Sequence, residues 1–195
     1  MLDKAITTLR PASPFDAEDM AKLINLAGEG LPLHFWGQLA EKGQDLWHVG
    51  AERARRDEGG FSWRNGTILE DRGAVAALLI TYAISPEPEA IDYAEIPPVF
   101  VPLQELENLA LDTVYVNVLA TYAPYRKRGY GRQLLQHAEQ QAHQAGKRLS
   151  IIVSDGNPNA LRLYESFGFK HVAERPIVSS DGWSPDGCNW VLMIK

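Results

Sequence analysis

Residues 114–131 read Val-Tyr-Val-Asn-Val-Leu-Ala-Thr-Tyr-Ala-Pro-Tyr-Arg-Lys-Arg-Gly-Tyr-Gly, and this stretch decides the fold. Its first half alternates β-branched with aromatic and polar residues, a pattern that predicts a strand. Pro124 ends that pattern, and over residues 132–146 the apolar side chains fall on one face of a helix. The segment is therefore predicted to be a strand, a basic glycine turn and a helix.

The turn is suited to binding a phosphate group. The first amides of a helix have no intrahelical acceptor and lie at the positive end of its dipole. Gly129 and Gly131 remove the Cβ atoms that would hold a ligand away from the backbone. Four side chains add positive charge to a chain of net charge -6: Arg126, Lys127, Arg128 and Arg132. The alternative is an ordinary strand-to-helix connection with a solvated basic face.

The glycine spacing indicates which kind of phosphate-containing ligand the turn would bind. It does not fit the P-loop of nucleotide triphosphatases, and the three-glycine dinucleotide fingerprint is incomplete. Arg126-x-x-Gly129-x-Gly131 instead resembles the Arg/Gln-x-x-Gly-x-Gly/Ala signature of the GNAT superfamily of N-acetyltransferases, which holds the pyrophosphate of acetyl-coenzyme A (acetyl-CoA). A second segment, residues 157–169, is similar to the Asn-x-x-Ala-x-x-Leu-Tyr-x-x-x-Gly-Phe signature of the same superfamily. The two signatures stand in the expected order.

The rest of the chain fits a mixed α/β sheet with helices on both faces. We expect a strand at residues 5–9, a helix capped by Asp16, further helices over 31–39 and 45–56, and a hairpin of strands at 67–69 and 74–84. Residues 85–102 contain five prolines and four acidic residues and are predicted to be a loop or flap, followed by a short helix within 103–110. After the central helix, capped at Gly146, we expect a strand at 149–153, a helix between Asn157 and Gly168, and strands at 169–178 and 188–194. The resemblance implies the GNAT fold, with a splayed pair of central parallel strands.

The resemblance also implies a role for particular residues. Backbone amides of residues 119–121 would face the acetyl carbonyl and the pantetheine arm, and Asn157 would contact pantetheine as well as cap its helix. Tyr164 would protonate the departing thiolate. The cofactor-binding residues implied in this way are Leu119, Ala120, Thr121, Arg126, Lys127, Arg128, Gly129, Tyr130, Gly131, Arg132 and Asn157.

The group that takes a proton from the acceptor amine is less evident. The central strand has Asn117 at its middle, where a carboxylate could have served as a base. Glu29, between Gly28 and Gly30, ranks first because in the superfamily the connection between the first helices lines the acceptor site. The other candidates are His34, Glu70 and Asp112.

Composition limits the class of protein. A chain of 195 residues with 45% hydrophobic residues is sufficient for one domain with a full core. No apolar run approaches the roughly 20 residues that span a bilayer, and no signal segment is evident, so a cytoplasmic protein without membrane contact is expected. The acidic balance argues against a nucleic-acid partner.

The sequence also gives expectations about the burial of three side chains and about metal binding. Cys188 is the only cysteine and is predicted to be a buried structural thiol, and Trp36 and Trp47 are predicted to lie in the core. The five histidines show no metal-ligand spacing, so no metal is predicted.

Residues 1–195 are thus interpreted as a single N-acetyltransferase domain, with a cofactor-binding core at 66–174 and acceptor-site elements at 1–65 and 85–102. The expected reaction is transfer of an acetyl group from acetyl-CoA to an amine of a small molecule or polypeptide. Two alternatives remain, a non-catalytic acyl-CoA-binding regulatory module and a nucleotide-binding protein that uses the same turn. The apolar strands near the C-terminus are candidates for pairing in a homodimer.

Overall fold

A computed structural model describes residues 7–195. The strands of this part of the chain are β1 (Thr7–Pro11), β2 (Gly66–Asp71), β3 (Ala74–Ala83), β4 (Thr113–Thr121), β5 (Arg148–Ser154), β6 (Lys170–Pro176) and β7 (Asn189–Ile194). Its α-helices are α1 (Ala17–Ala27), α2 (Leu31–Leu39), α3 (Leu46–Ala54), α4 (Val101–Glu107), α5 (Tyr130–Gln144) and α6 (Pro158–Phe167). The predicted order of elements is confirmed, although residues 5 and 6 of the first predicted strand lie outside the described residues.

The strands form a mixed sheet in the order β1-β2-β3-β4-β5-β7-β6. β4 and β5 pair in parallel, from Thr113 opposite Arg148 to Val116 opposite Ile151. β7 runs antiparallel to both β5 and β6. The predicted mixed α/β architecture with a central parallel pair is therefore confirmed.

The chain divides into two compact units. The first contains the residues up to Thr81 together with Val118–Leu134, and the second contains Tyr82–Asn117 together with Leu135–Lys195. We describe each unit by itself. The interpretation of the chain as a single acetyltransferase domain stays a prediction.

The core of the first unit lies between its helices and the apolar face of its strands. α3 packs against both α1 and α2, and the buried indole of Trp36 fills the space beneath Gly50. A Cβ atom at Gly50 would stand 2.4 Å from the Trp36 ring, so only glycine fits there. Trp36 is in the core as predicted, but the prediction for Trp47 is wrong. Trp47 lies in the first turn of α3, and its side chain is 38% exposed. Its ring meets the Trp36 ring edge-on, with 6.3 Å between the ring centroids.

The hydrogen bonds of Asp16, at the start of α1, differ from the predicted ones. Asp16 was expected to cap the helix, but its side chain makes no capping hydrogen bond to α1. The carboxylate instead accepts hydrogen bonds from Arg10 at 2.7 and 2.9 Å and from the backbone nitrogen of Ser13 at 2.8 Å. The Arg10 hydrogen bonds lower the pKa of Asp16 despite its burial. Arg10, six residues earlier in β1, thus takes up the carboxylate, and this is the reason the capping prediction failed.

In the second unit, Asp155 joins the end of β5 to the start of β7. Its carboxylate accepts hydrogen bonds from the backbone nitrogens of Cys188 at 2.7 Å and Asn189 at 3.1 Å. Gly156 and Gly187 meet so closely that a Cβ on Gly156 would lie 2.4 Å from the Gly187 nitrogen. Cys188 precedes β7 and is exposed, so the prediction of a buried thiol is wrong.

The proline-rich segment is a loop that leads into α4 through a short 3-10 turn at Pro98–Phe100. Backbone hydrogen bonds fix its start, from the Ile84 nitrogen to the Thr113 oxygen at 2.9 Å and from Asp112 to Ser85 at 3.1 Å. Asn108, just after α4, exchanges two hydrogen bonds with the backbone of Glu89 at 2.8 and 2.9 Å. The loop is thus fastened at two points.

Candidate active site

The turn that follows β4 has an unusual backbone. After a 3-10 turn at Ala123–Tyr125, Lys127 has a φ of 61° and Gly129 a φ of 84°. A positive φ is uncommon at a residue other than glycine, and left-handed residues within a turn orient successive amides into a concave anion site. α5 begins directly afterwards, at Tyr130. The predicted strand, glycine turn and helix are confirmed, and the turn has a geometry suited to a phosphate.

The backbone conformation gives a reason for glycine at position 129 in addition to the predicted approach of a ligand. A Cβ atom at Gly129 would meet nothing within 4 Å, so close approach of other protein atoms does not require its absence. The left-handed backbone does, because a β-carbon strains that conformation. Gly129 thus sets the shape of the turn.

Arg128 supports the turn from within the first unit. Its guanidinium donates to the Asp71 carboxylate at 2.9 Å and to the Pro124 carbonyl at 3.0 Å, and it lies over the Tyr125 ring. The Tyr130 hydroxyl donates to the same Asp71 oxygen at 2.8 Å. Asp71 therefore ties both sides of Gly129 to the end of β2. The sequence did not single out this carboxylate, which belongs to the hairpin turn.

A cavity of about 490 Å³ lies beside this turn, lined by Asp71, Arg72, Ala74, Tyr125 and Arg128. Asp71 is only 4% exposed, and its second oxygen, Oδ1, has no hydrogen-bond partner among the described residues. Arg126 turns back to the strand end, where its Nε donates to the Thr121 carbonyl at 3.2 Å. The side chains of Arg126 and Arg128 are thus both hydrogen-bonded to the protein.

The end of β4 is fixed by Tyr122. Its backbone nitrogen donates to the Ala76 carbonyl at 2.9 Å, and its hydroxyl donates to Asp19 of α1 at 2.6 Å. Ala120 is buried, and Leu119 and Thr121 are partly buried. The three residues predicted to face the acetyl group thus lie on a well-anchored strand end.

α6 has the caps that the sequence predicts. The Asn157 side chain accepts a hydrogen bond from the Ala160 nitrogen at 3.1 Å, Pro158 is the first helical residue, and Gly168 ends the helix with a φ of 104°. Tyr164 is 5% exposed and meets the Phe169 ring edge-on at 5.9 Å. Burial raises the pKa of Tyr164, so its phenol is protonated at neutral pH and has a proton to give.

The four residues that the sequence suggests as the general base differ in their contacts. Glu70 accepts from Arg10 at 2.7 Å, His34 contacts the Gln38 amide at 3.1 Å, and Asp112 is paired with Lys147. Glu29 is partly buried after α1, with a φ of 52°. No contact on these four residues identifies a base.

A group that the sequence analysis did not single out lies in the second unit. Glu107, at the end of α4, is partly buried, and burial together with the nearby Glu89 charge raises its pKa to about 7. The charge of Glu107 in turn contributes to the raised pKa of Tyr82 and of Tyr115, whose ring centroids lie 5.4 Å apart. No pattern in the sequence around Glu107 marks this residue, because the residues that surround it in the structure come from β3, β4 and the proline-rich loop.

A second cavity, of about 320 Å³, lies in the first unit between α1 and α3. It is lined by Glu18, Lys22, Asp45, Trp47, His48 and Ala51. Over residues 7–195, no cluster of three or more His, Cys, Asp or Glu side chains could hold a metal ion. None of the helices described is both long and apolar enough to cross a membrane.

Comparison with known proteins agrees with this fold. Residues 99–169 match the sequence profile of the acetyltransferase (GNAT) family. These residues include the turn after β4, all of α5 and all of α6. This segment of the chain therefore matches the acetyltransferase (GNAT) family.

Solved structures share the fold over nearly the whole chain. An N-acetyltransferase from Staphylococcus aureus Mu50 is 22% identical, with a TM-score of 0.63 over 96% of this chain and 100% of that one. A crystal structure described as an acetyltransferase is 21% identical, with a TM-score of 0.64 over 96% and 98%. A GNAT family acetyltransferase from Elizabethkingia anophelis, solved with acetyl-CoA bound, is 15% identical, with a TM-score of 0.56 over 96% of both chains. A search of curated proteins gave no match.

Proposed function

We propose that the protein transfers the acetyl group of acetyl-CoA directly to a primary amine of a small molecule or polypeptide. The observation that carries this proposal is the turn between β4 and α5, with left-handed residues at Lys127 and Gly129. This turn lies within the segment that matches the acetyltransferase profile. Oriented amides followed by a helix N-terminus favour a bound pyrophosphate.

The backbone amides of residues 126–132 bind the pyrophosphate in this proposal. Asp71 holds Arg128 and Tyr130, so it fixes the turn without contacting the donor. The amides of Leu119 and Thr121, on either side of Ala120, bind the pantetheine arm and the carbonyl oxygen. Asn157 contacts pantetheine in addition to capping α6.

Tyr164 is the proposed general acid. As the amine adds to the thioester carbonyl, negative charge builds on oxygen and then on sulfur, and a backbone amide stabilises the oxygen charge. A thiol has a reference pKa of about 8.5, so the sulfur needs only modest assistance from a neutral phenol. Because the amine attacks directly, no covalent enzyme intermediate is required, and the exposed Cys188 has no part in the reaction.

Turnover of the Tyr164→Phe variant tests this role. The variant lacks only the hydroxyl of a ring that packs on Phe169, so we expect it to fold and bind acetyl-CoA like the wild type. Loss of a general acid lowers kcat by roughly 100-fold. Release of coenzyme A thiol, measured with a panel of primary amines, gives kcat. An unchanged kcat would remove Tyr164 from the mechanism.

The same panel separates an enzyme from a binding module. A non-catalytic acyl-CoA-binding protein would bind acetyl-CoA without transfer to any amine. Asn117, in place of a carboxylate at the middle of β4, is the feature that favours this alternative. Pairing in a homodimer, the lack of a nucleic-acid or membrane partner, and a cytoplasmic location all remain predictions.

A further inference from the structure

The cavity between α1 and α3 lies within the first unit, and none of the residues proposed for acetyl transfer lines it. Its volume of about 320 Å³ is within the usual range of small-molecule sites. The lining combines carboxylates, an ammonium group and an imidazole with an indole ring. These features make the cavity a candidate for a ligand other than acetyl-CoA.

On the α1 side, two opposite charges line the cavity without pairing with each other. Glu18 and Lys22 are four residues apart with the acid nearer the N-terminus, which is the favourable order for an ion pair on one helix face. Glu18 instead lies 3.9 Å from Arg55. Within the described part of the chain, Lys22 has neither an ion pair nor a side-chain hydrogen bond. A ligand between the two side chains would therefore meet one charge of each sign.

The start of α3 adds a second acceptor and a second donor. The Asp45 oxygen Oδ1 accepts the hydrogen bond of the Trp47 backbone nitrogen at 3.1 Å, which caps the helix. The other oxygen, Oδ2, receives no hydrogen bond from residues 7–195. The His48 ring likewise makes no hydrogen bond or ion pair with any residue of that range. Both helices thus present an acidic and a basic group to the same cavity.

The apolar part of the lining comes from Trp47 and Ala51. Trp47 was expected in the core, but its side chain is 38% exposed, whereas Ala51 is only 1% exposed. The Trp47 ring is held edge-on against Trp36, so its position is fixed by packing. A side chain that departs from the local expectation is more often found at a functional site. The indole offers a rigid surface to an apolar group.

We propose that this cavity binds a small zwitterion, an α-amino acid with an apolar side chain. Lys22 and His48 donate hydrogen bonds to its carboxylate, and its ammonium group donates to Glu18 and Asp45. Its side chain packs on the indole of Trp47. A simple anion would meet two carboxylates and a simple cation would meet Lys22, so a ligand with both charges is the one that this lining complements. The site goes beyond the proposed acetyl transfer.

Titration calorimetry of the full chain with four probes tests the ligand class. L-Phenylalanine and L-leucine carry both charges, 2-phenylethylamine lacks the carboxylate and 3-phenylpropionate lacks the ammonium group. We expect both amino acids to bind with a Kd of about 1 mM or lower, as for a ligand of about a dozen non-hydrogen atoms. Each single-charge probe should bind at least about 10-fold more weakly than phenylalanine, because it leaves charged partners without a hydrogen bond.

Two variants locate the bound amino acid. Lys22→Met should weaken phenylalanine about fivefold and leave phenylethylamine unchanged, because the amine has no carboxylate to lose a partner. Glu18→Gln should weaken phenylalanine by a similar factor and leave phenylpropionate unchanged. Both side chains are exposed, so the variants should fold as the wild type does. Lys42→Met and Glu41→Gln are the matched controls, since both residues are exposed and neither lines the cavity.

Three results would overturn the inference. The first is that neither amino acid binds at millimolar concentration, and the second is that the single-charge probes bind as tightly as phenylalanine. The third is wild-type affinity for phenylalanine in both Lys22→Met and Glu18→Gln, which would mean that the amino acid binds elsewhere, for example as the acetyl acceptor. The thermal shift produced by acetyl-CoA should be the same in all these proteins, so its loss in the wild type would count against the proposed function alone.

Discussion

Asp71, at the end of β2, holds the turn between β4 and α5 through two side chains. It is buried, and one of its oxygens accepts hydrogen bonds from both Arg128 and Tyr130. Hydrogen bonds to a charged group contribute about 1.5 to 3 kcal/mol each. Because Arg128 and Tyr130 lie on either side of Gly129, the position of the turn depends on this carboxylate.

The variant Asp71→Asn should therefore be destabilised by roughly 1 to 3 kcal/mol. The amide keeps the shape of the carboxylate but loses the charge opposite Arg128. We also expect a higher KM for acetyl-CoA with a nearly unchanged kcat, since in the proposed mechanism the turn binds the donor and does not react. Urea unfolding and steady-state kinetics measure the two effects.

Asp57→Asn is the control for this prediction. Asp57 pairs with Arg64 at 2.8 Å, but both side chains are more than half exposed. Exposed ion pairs contribute about 0 to 1 kcal/mol, so this variant should resemble the wild type. Equal effects of the two substitutions would show that Asp71 is an ordinary surface partner.

At the scale of secondary-structure elements, α6 shows how helix caps position the side chain of Tyr164, the proposed general acid. Asn157 satisfies the free amide of Ala160, Pro158 has the backbone conformation of a first helical residue, and Gly168 adopts the left-handed conformation that ends the helix. These caps fix the register of α6. Tyr164 is consequently held on its buried face, against Phe169.

Replacing the cap should measure both proposed roles of Asn157. Asn157→Ala removes an N-cap and should lower the free energy of unfolding by about 1 kcal/mol. If Asn157 also contacts pantetheine, the variant binds acetyl-CoA more weakly, which calorimetry detects. Asn159→Ala, on the exposed first turn of the same helix, should change neither quantity. Unchanged acetyl-CoA affinity in Asn157→Ala would restrict Asn157 to its capping role.

Local patterns were sufficient to predict these elements. The alternation in β4, the glycine turn and the caps of α6 each depend on residues that are close in sequence, and all three are confirmed. Predictions failed where a contact outside the local sequence pattern decides the outcome. Asp16 binds Arg10 instead of capping α1, and Cys188 lies outside β7, where Asp155 holds its backbone.

Glu107 was missed for the same reason. Its raised pKa depends on burial and on Glu89, eighteen positions away in the sequence and brought close by Asn108. No periodicity or motif records such a neighbour. The roles of Tyr164, Glu29 and the cofactor-binding residues also remain predictions, because they concern ligands and not the protein's own contacts.

At the scale of the whole molecule, the family profile covers residues 99–169, which include the glycine turn and the Asn157 helix. The predicted acceptor elements at 1–65 and most of 85–102 lie outside that segment. The central claim that can be tested without knowing the acceptor is that the protein binds acetyl-CoA.

The most direct measurement is thermal unfolding of the purified protein with acetyl-CoA, coenzyme A, ATP or NADH, each in large excess. A ligand at 100 times its dissociation constant adds about 2.7 kcal/mol, which for a chain of this size raises Tm by roughly 5 to 10 °C. We predict such a rise in Tm with acetyl-CoA and none with ATP or NADH. Coenzyme A, tested separately, is expected either to raise Tm as well or to leave it unchanged. No shift with acetyl-CoA, or an equal shift with ATP, would contradict the assignment of the turn to acetyl-CoA and with it the proposed acetyltransferase.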